Sequence, residues 1–518
     1  MRKIKLLWAD DEIDLLKPHV MLLEQKGYHV DTALSGADAI DLVAKTHYDV
    51  VFLDENMPGL TGLETLVEIK RGKPNLPVVM ITKSEEEYLM DDAIGSQISD
   101  YLIKPVNPKQ ILLSLKKIMD SGRLVSEKVT SNYRKDFMEL SMKVNESMDA
   151  EAWKVLYKEL VYWELELSKV GEEGMHEIFL SQKVEANSNF ARFVGSQYPQ
   201  WVQNPDKAPV MSFNLMAKKV APLLKQDITT VLLVIDNLRL DQWKFLEPLL
   251  LDYYTVQAED LYYSILPTAT QYARNALFAG LMPLDIQSRF GRKWLSDDEE
   301  GGKNQYEEDF LADLLQRLRL DKRMAYRKVL RLDAGRELVD NAKNLVKNND
   351  FVVVVYNFID MLSHARTDME VIKELAEDEA AYRSLTRSWF EHSPLREFLQ
   401  MIASLPINLL ITTDHGSIRV KKPVQVIGDK NTSTNLRYKH GRNLSYDARE
   451  VIEFKQPDKV KLPKSNISSS YIVCRPDDFF VYPNNQNYFV NFYKNTFQHG
   501  GVSLEEMLIP FIQLKPKA

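Results

Sequence analysis

The stretch "INLLITTDHG", residues 407–416, is an apolar run that ends in an acid and an imidazole and is followed at once by glycine. Five apolar or β-branched positions in a row, 409–413, have the length and composition of a buried strand. Ligand sites of open α/β sheets lie at the carboxyl ends of their strands. The fold therefore turns on whether other apolar runs end the same way. Two do. "TTVLLVID" (229–236) runs straight into Asp236, and "FVVVVYNFID" (351–360) ends in Asp360, with His364 four residues later. That spacing places Asp360 and His364 on one face of a turn or helix start. Near the terminus, "FQHGG" (497–501) adds His499 before two glycines that let backbone approach closely.

Working outward, the α/β alternation from about residue 206 to 518 predicts one domain. Residues 1–120 predict another: "KIKLLWA", "YDVVFL", "PVVMIT" and "DYLIKP" are strand-like and alternate with amphipathic stretches, the pattern of a doubly wound parallel sheet. Between them, residues 121–205 lose the strand signal and carry apolar residues at three- and four-residue spacing, which predicts a three-helix connector bundle. The fold class expected is thus multidomain α/β with a helical connector.

Composition bounds the class of function. The 518 residues carry a net charge of −8, with 45% hydrophobic and 27% charged residues, as in soluble globular proteins. That balance argues against a general nucleic-acid coating role, although local basic clefts remain compatible with it. Cys474 is the only cysteine, a usage that fits a reducing cytosol. The N-terminus has no apolar core of a signal peptide, and no apolar run approaches a membrane span. The expectation is a cytoplasmic protein with no membrane span.

In the first domain, Asp10 and Asp11 follow the first strand, Asp54 ends "VVFLD", Thr82 ends "VVMIT" and Lys104 follows "DYLI". Clustered carboxylates invite a hard cation such as Mg²⁺. A lysine and a hydroxyl beside them would neutralise and hydrogen-bond a phosphoryl group. One such aspartate would read as loop decoration; five residues in order on the right strand ends do not. With "FLDENMPGLTG" and "KP", the segment closely resembles a response-regulator receiver domain. The resemblance implies that Asp54 is the phosphoacceptor and that Asp10 and Asp11 hold Mg²⁺ with it. It also implies that Thr82 and Lys104 sense the phosphoryl group and that Tyr101 is the aromatic switch residue. The partner implied is a sensor histidine kinase.

In the C-terminal domain, Asp236, Asp360, Asp414, His364, His415 and His499 offer carboxylate and imidazole without thiolate, which suits catalytic Zn²⁺ or Mn²⁺. Three Asp and three His suffice for two metals, which together could stabilise both the attacking and leaving oxygens of an in-line displacement. A nucleophile is expected in "ILPTATQYARNALFAG" (265–280): Thr270 first, Thr268 second, with Arg274 one helical turn past Thr270 placed to steady a phosphoryl oxygen. A strand-end Asp is commonly a helix cap and a lone His commonly a core residue; the ordered series is what favours metal.

That series resembles the alkaline phosphatase superfamily, and within it the PglZ domain. The resemblance implies that Asp360, His364 and His499 ligate one metal, that Asp236, Asp414 and His415 ligate the other, and that Thr270 is the nucleophile. No sulfatase-type Cys/Ser-x-Pro-x-Arg occurs nearby. Receiver, connector and PglZ domain together resemble PorX-type response regulators, associated with type IX secretion. By that resemblance, phosphorylation is the input and phosphodiesterase chemistry on nucleotides, cyclic dinucleotides or short oligonucleotides is the output. It further implies dimerisation on phosphorylation and contact with a sigma factor or a secretion-system component. A protein-binding adaptor and a phosphomonoesterase are the competing readings.

The insertion at 420–498 pairs a basic half, with Lys430, Arg437, Lys439 and Arg442 as candidates for a phosphate path, with an aromatic half containing Phe479, Phe480, Tyr482, Tyr488 and Phe489. Basic groups interleaved with aromatics hold single-stranded nucleic acid. Alternating aromatics also suit strand cores, and both readings stand at this level.

Overall fold

A computed structural model describes residues 4–74, 76–82, 98–170, 173–297, 299, 301–369, 378–429, 432–464, 466–484 and 486–517. The chain is a multidomain α/β protein in two compact units, Met1–Asn132 and Tyr133–Ala518. In the first unit, β1 (Lys5–Ala9), β2 (His29–Ala33), β3 (Val50–Asp54), β4 (Val78–Thr82) and β5 (Asp100–Ile103) form a parallel sheet of order 2-1-3-4-5. Alternate residues feed opposite faces, as pleating requires. Leu7, Ala9, Val51, Leu53 and Met80 pack into one core layer, and Leu6, Trp8, Val50, Phe52, Val79 and Ile81 into the other. Helix Gly62–Gly72 starts with a capping box in which the Thr61 and Glu64 side chains each accept from the other's backbone N–H.

Helix Pro108–Asn145 runs unbroken through the expected boundary at 120/121. The first connector helix is therefore the continuation of the helix that follows β5, because the sequence there contains no glycine pair or proline to stop it. Helices Ala150–Val170 and Glu173–Gln203 complete the connector. Buried Tyr133, Trp163 and Phe179 meet at its centre, with ring centroids 5.3 and 6.1 Å apart.

The large sheet of the second unit contains β6 (Thr229–Ile235), β7 (Tyr254–Tyr263), β8 (Met324–Val329), β9 (Phe351–Tyr356), β10 (Ile407–Thr412) and the C-terminal strand Leu508–Pro516. The order is β7, C-terminal strand, β10, β6, β9, β8, with β10, β6, β9 and β8 mutually parallel. β6, β9 and β10 are buried at nearly every residue, which explains why they read as continuous apolar runs. Register positions the site. Val234 pairs with Thr412 and Ile235 with Tyr356, so Asp236 and Asp414 leave the sheet side by side. The insertion begins and ends in one antiparallel pair, Ile418–Arg419 with Phe497–Gln498, which returns the chain to the same sheet edge and brings His499 back beside His415.

Candidate functional site

In the first unit the acids and the lysine converge. Lys104 Nζ lies 2.7 Å from Asp54 Oδ1 and 3.3 Å from Asp10 Oδ2. Candidate ligand atoms of Asp10, Asp11 and Asp54 fall within 4.8 Å of one another. Burial raises the Asp54 carboxyl above its ordinary range, Asp10 adds to that, and Lys104 opposes it. The Lys104 peptide N–H donates to the Thr82 carbonyl at 2.7 Å, which sets Thr82 at the same sheet edge. Tyr101 is half exposed on β5.

The C-terminal candidate ligands form two groups, Asp236–Asp414–His415 and Asp360–His364–His499, each with candidate ligand atoms within 4.8 Å of one another. His415 Nε2 lies 3.7 Å from Asp236 Oδ1 and 3.8 Å from Asp414 Oδ2. His499 Nε2 lies 3.7 Å from Asp360 Oδ1, and His364 Nε2 3.5 Å from Asp360 Oδ2. The His415 and His499 rings stack with centroids 4.1 Å apart, so the groups adjoin. They differ in access: the first is wholly buried, whereas the His364 side chain is 62% exposed.

Neighbouring groups orient both imidazoles. His415 Nδ1 lies 3.2 Å from the Gly416 carbonyl and His499 Nδ1 3.1 Å from the Thr268 carbonyl. With Nδ1–H donating there, each Nε2 lone pair faces the carboxylates, the arrangement that metal-binding histidines adopt. Thr268 itself is committed to structure: its hydroxyl donates to Gly501 O at 2.7 Å and accepts from Gly500 N–H at 3.1 Å. Gly500, with φ 119°, occupies backbone space closed to other residues. Thr270 opens helix Thr270–Ala279 and sets Oγ1 2.9 Å from His415 Nε2.

Four carboxylate oxygens test whether cations fit. Asp236 Oδ1, Asp360 Oδ1 and Asp414 Oδ2 are buried and lack a hydrogen-bond partner among the described residues, whereas buried Asp10 Oδ2 is met by Lys104 Nζ at 3.3 Å; all four belong to residues of these groups. Such orphan oxygens are costly unless a ligand completes them. Burial, reinforced by Asp236, pushes Asp360 up to about 6 and Asp414 well above its ordinary value. Burial lowers His415 and, with His415 beside it, His499. Crowded carboxylates form an all-oxygen donor set for a divalent cation in the first unit, and carboxylates with imidazoles form a mixed oxygen–nitrogen one in the second.

Several expectations need correction. Arg274 does not face a phosphoryl position: it is buried, with NH1 2.6 Å from Asp236 Oδ2 and Nε 2.6 Å from Glu307 Oε1. Its charge is spent on a ligand carboxylate, leaving only Asp236 Oδ1 open. Arg437 lines no phosphate path, since it is fully buried against Glu506 and donates to the Arg475 and Asp478 carbonyls at 2.6 Å. Lys439 is buried too and donates to Ser433 O at 2.9 Å, burial bringing its amine down to about 8. Arg442 is exposed at the end of strand Tyr438–Arg442, apart from these buried groups. Lys430 lies outside the described residues. Phe479 and Phe480 fill strand cores, so the stacking surface reduces to half-exposed Tyr482 and exposed Tyr488.

Sequence reasoning missed Glu307, which accepts from Arg274 and Tyr326 and pairs with Lys328 Nζ at 3.0 Å. It also missed Ser264, whose hydroxyl donates to the Asp414 carbonyl at 2.7 Å, and Tyr262, which donates to the Thr413 carbonyl. None of these stands in a recognisable spacing with its partner.

Comparison with known proteins gives three consecutive matches. Residues 6–116 match the response regulator receiver domain, residues 123–202 the PorX response regulator linker domain, and residues 215–514 the BREX system PglZ alkaline phosphatase-like domain. Among curated proteins, the transcriptional regulatory protein ResD of Bacillus subtilis is 32% identical over 115 residues, 22% of this chain and 48% of ResD. The CpxR homolog of Haemophilus influenzae is 35% identical over 129 residues, 24% of this chain and 55% of that protein. The chain thus spans about half the length of these curated relatives. A solved structure of the Vibrio cholerae chemotaxis protein CheY4 is 30% identical, with 23% of this chain and 99% of that chain covered and a TM-score of 0.21. Among the described residues, no helix is long and apolar enough to cross a membrane.

Proposed function

Because the chain belongs to the PglZ alkaline phosphatase-like family and carries that domain behind a receiver and a PorX linker domain, in the order of a PorX-type response regulator, we propose that its output is two-metal phosphodiester hydrolysis with Thr270 as nucleophile. The substrates proposed are nucleotides, cyclic dinucleotides or short oligonucleotides, and the process controlled is type IX secretion. The observation that carries this reading is Thr270 Oγ1 at a helix start, 2.9 Å from His415 Nε2, whose ring stacks on that of His499 in the other group.

Asp236, Asp414 and His415 would hold one Zn²⁺, and Asp360, His364 and His499 the other. Bound there, the cations would supply Lewis-acid stabilisation of phosphoryl charge and favour the Thr270 alkoxide. The chain's own residues do the rest. Gly416 O and Thr268 O keep both imidazoles turned with Nε2 inward. Arg274 holds Asp236 in one rotamer. The Thr270 helix is anchored by Asn304, whose Nδ2 donates to Thr270 O at 3.1 Å. Thr270 Oγ1 bonds to phosphorus as the leaving alkoxide departs and takes up a proton, and water then cleaves the threonyl phosphate ester. Exposed His364 marks the side from which substrate enters.

In the first unit, Asp10, Asp11 and Asp54 would hold Mg²⁺, with Asp54 accepting phosphate from a sensor histidine kinase and Lys104 pairing the transferred group. The test is hydrolysis of matched mono- and diester model substrates by the zinc-loaded full chain. The proposal requires the diester to be turned over with the higher kcat/KM. Monoester preference would make the domain a phosphomonoesterase, and no turnover of either would favour the adaptor.

A further inference from the structure

The connector helices reach the candidate centre through a chain of buried charges. Lys183, on helix Glu173–Gln203, sits 2.7 Å from Glu164 Oε2 and 2.8 Å from Glu505 Oε1. Glu164, on helix Ala150–Val170, pairs through Oε1 with Arg383 at 3.0 Å, and Arg383 pairs with Asp241 at 3.1 Å. Asp241 takes both Nε and NH2 of Arg239, at 2.9 and 2.6 Å, and Arg239 NH2 also meets Glu379 at 2.5 Å. These three cations neutralise the acidic group Glu164–Asp241–Glu379, which is therefore an ion-pair cluster and not a further metal site.

Both ends of this chain grip backbone that carries ligands of the buried metal position. Arg239 lies three residues after Asp236, and its NH1 donates to Ser417 O, two residues after His415, at 3.4 Å. At the other end, Asn187 joins Lys183 in holding Glu505, donating to Oε2 at 3.1 Å. The Glu505 carbonyl presses on Gly416 so closely that a β-carbon there would lie 2.1 Å away. Removing one member of such a network leaves its partner charge buried and unpaired, so the remaining groups must shift.

We infer that Lys183 and Glu164 of the connector are positioning residues for the His415 metal position, which makes the connector part of the catalytic unit. The inference rests on the two-metal reading above. The test compares Lys183→Met, Lys183→Arg and Tyr133→Phe in the full chain. Tyr133→Phe is the control: it removes the Tyr133–Gln182 hydrogen bond (3.1 Å) inside the connector, where the ring packs against Phe137, Trp163 and Phe179.

Zn²⁺ titration should show one of two equivalents weakened about 10-fold in Lys183→Met, the scale set by loss of outer partners of metal ligands. Lys183→Arg should restore most of that affinity, and Tyr133→Phe should bind as wild type. In the metal-free proteins, hydrogen exchange should quicken at 236–241 and 413–418 in Lys183→Met alone. Unchanged affinity and exchange in Lys183→Met, or equal changes in Tyr133→Phe, would overturn the inference. Should wild type take up no Zn²⁺, the two-metal reading fails and the exchange comparison still decides the positioning claim.

Discussion

Gly416 carries no functional group, yet the geometry around it decides where His415 points. Its φ lies outside the left-handed region; what excludes a side chain is the Glu505 carbonyl 2.1 Å from where a β-carbon would sit. The sequence suggests glycine for ease of turning, whereas the structure shows glycine for want of space, because the crowding atom belongs to a residue 89 positions away (505 − 416). Gly416→Ala should therefore destabilise the chain by about 1–3 kcal/mol, as overpacking does, and weaken Zn²⁺ uptake at the buried position. Thermal melts with and without Zn²⁺ check both; a variant as stable and as zinc-responsive as wild type would refute the crowding argument. Arg274 teaches the same lesson. Its position one turn past Thr270 was legible, but its partners Asp236 and Glu307, 38 and 33 residues away, were not.

Strands explain why so much of the candidate centre could be read at the level of elements. β6, β9 and β10 are buried on both faces, so each appears as a mainly apolar or β-branched run, broken in β10 by buried Asn408, and a polar residue follows soon after the strand end. Parallel pairing then makes strand ends neighbours, which is how Asp236 and Asp414 meet. The insertion was less legible because its small sheets bury charges as well as aromatics. Arg437 reads as basic surface until Glu506, 69 residues on, is seen beside it. Both are fully buried, so Arg437→Met leaves Glu506 charged and unpaired. The expected cost is about 3–5 kcal/mol of stability, with KM for a nucleotide substrate unchanged in the protein that remains folded. Denaturant titration and kinetics separate these; a near-normal midpoint with a raised KM would restore Arg437 to the substrate path.

At the scale of the whole molecule, the acidic pocket of the receiver domain and a candidate hydrolytic centre occur in separate compact units of one chain. The order of the domains was legible from the shift between strand and helix periodicity. The boundary expected at 120/121 was less so, because one continuous helix, Pro108–Asn145, crosses it. Phosphorylation needs only to stabilise one of two states differentially to shift their populations. Beryllofluoride at Asp54 should accordingly raise the mass measured by light scattering towards a dimer, and Asp54→Asn should abolish the response; an unchanged mass and hydrodynamic radius would argue against control through assembly. The central claim is chemical, and one measurement reaches it: steady-state hydrolysis of a phosphodiester by zinc-loaded Thr270→Val with its metal content verified. That variant should retain two Zn²⁺ with kcat lowered at least ~10³-fold, as loss of a nucleophile does. Wild-type turnover by that variant would contradict the central claim.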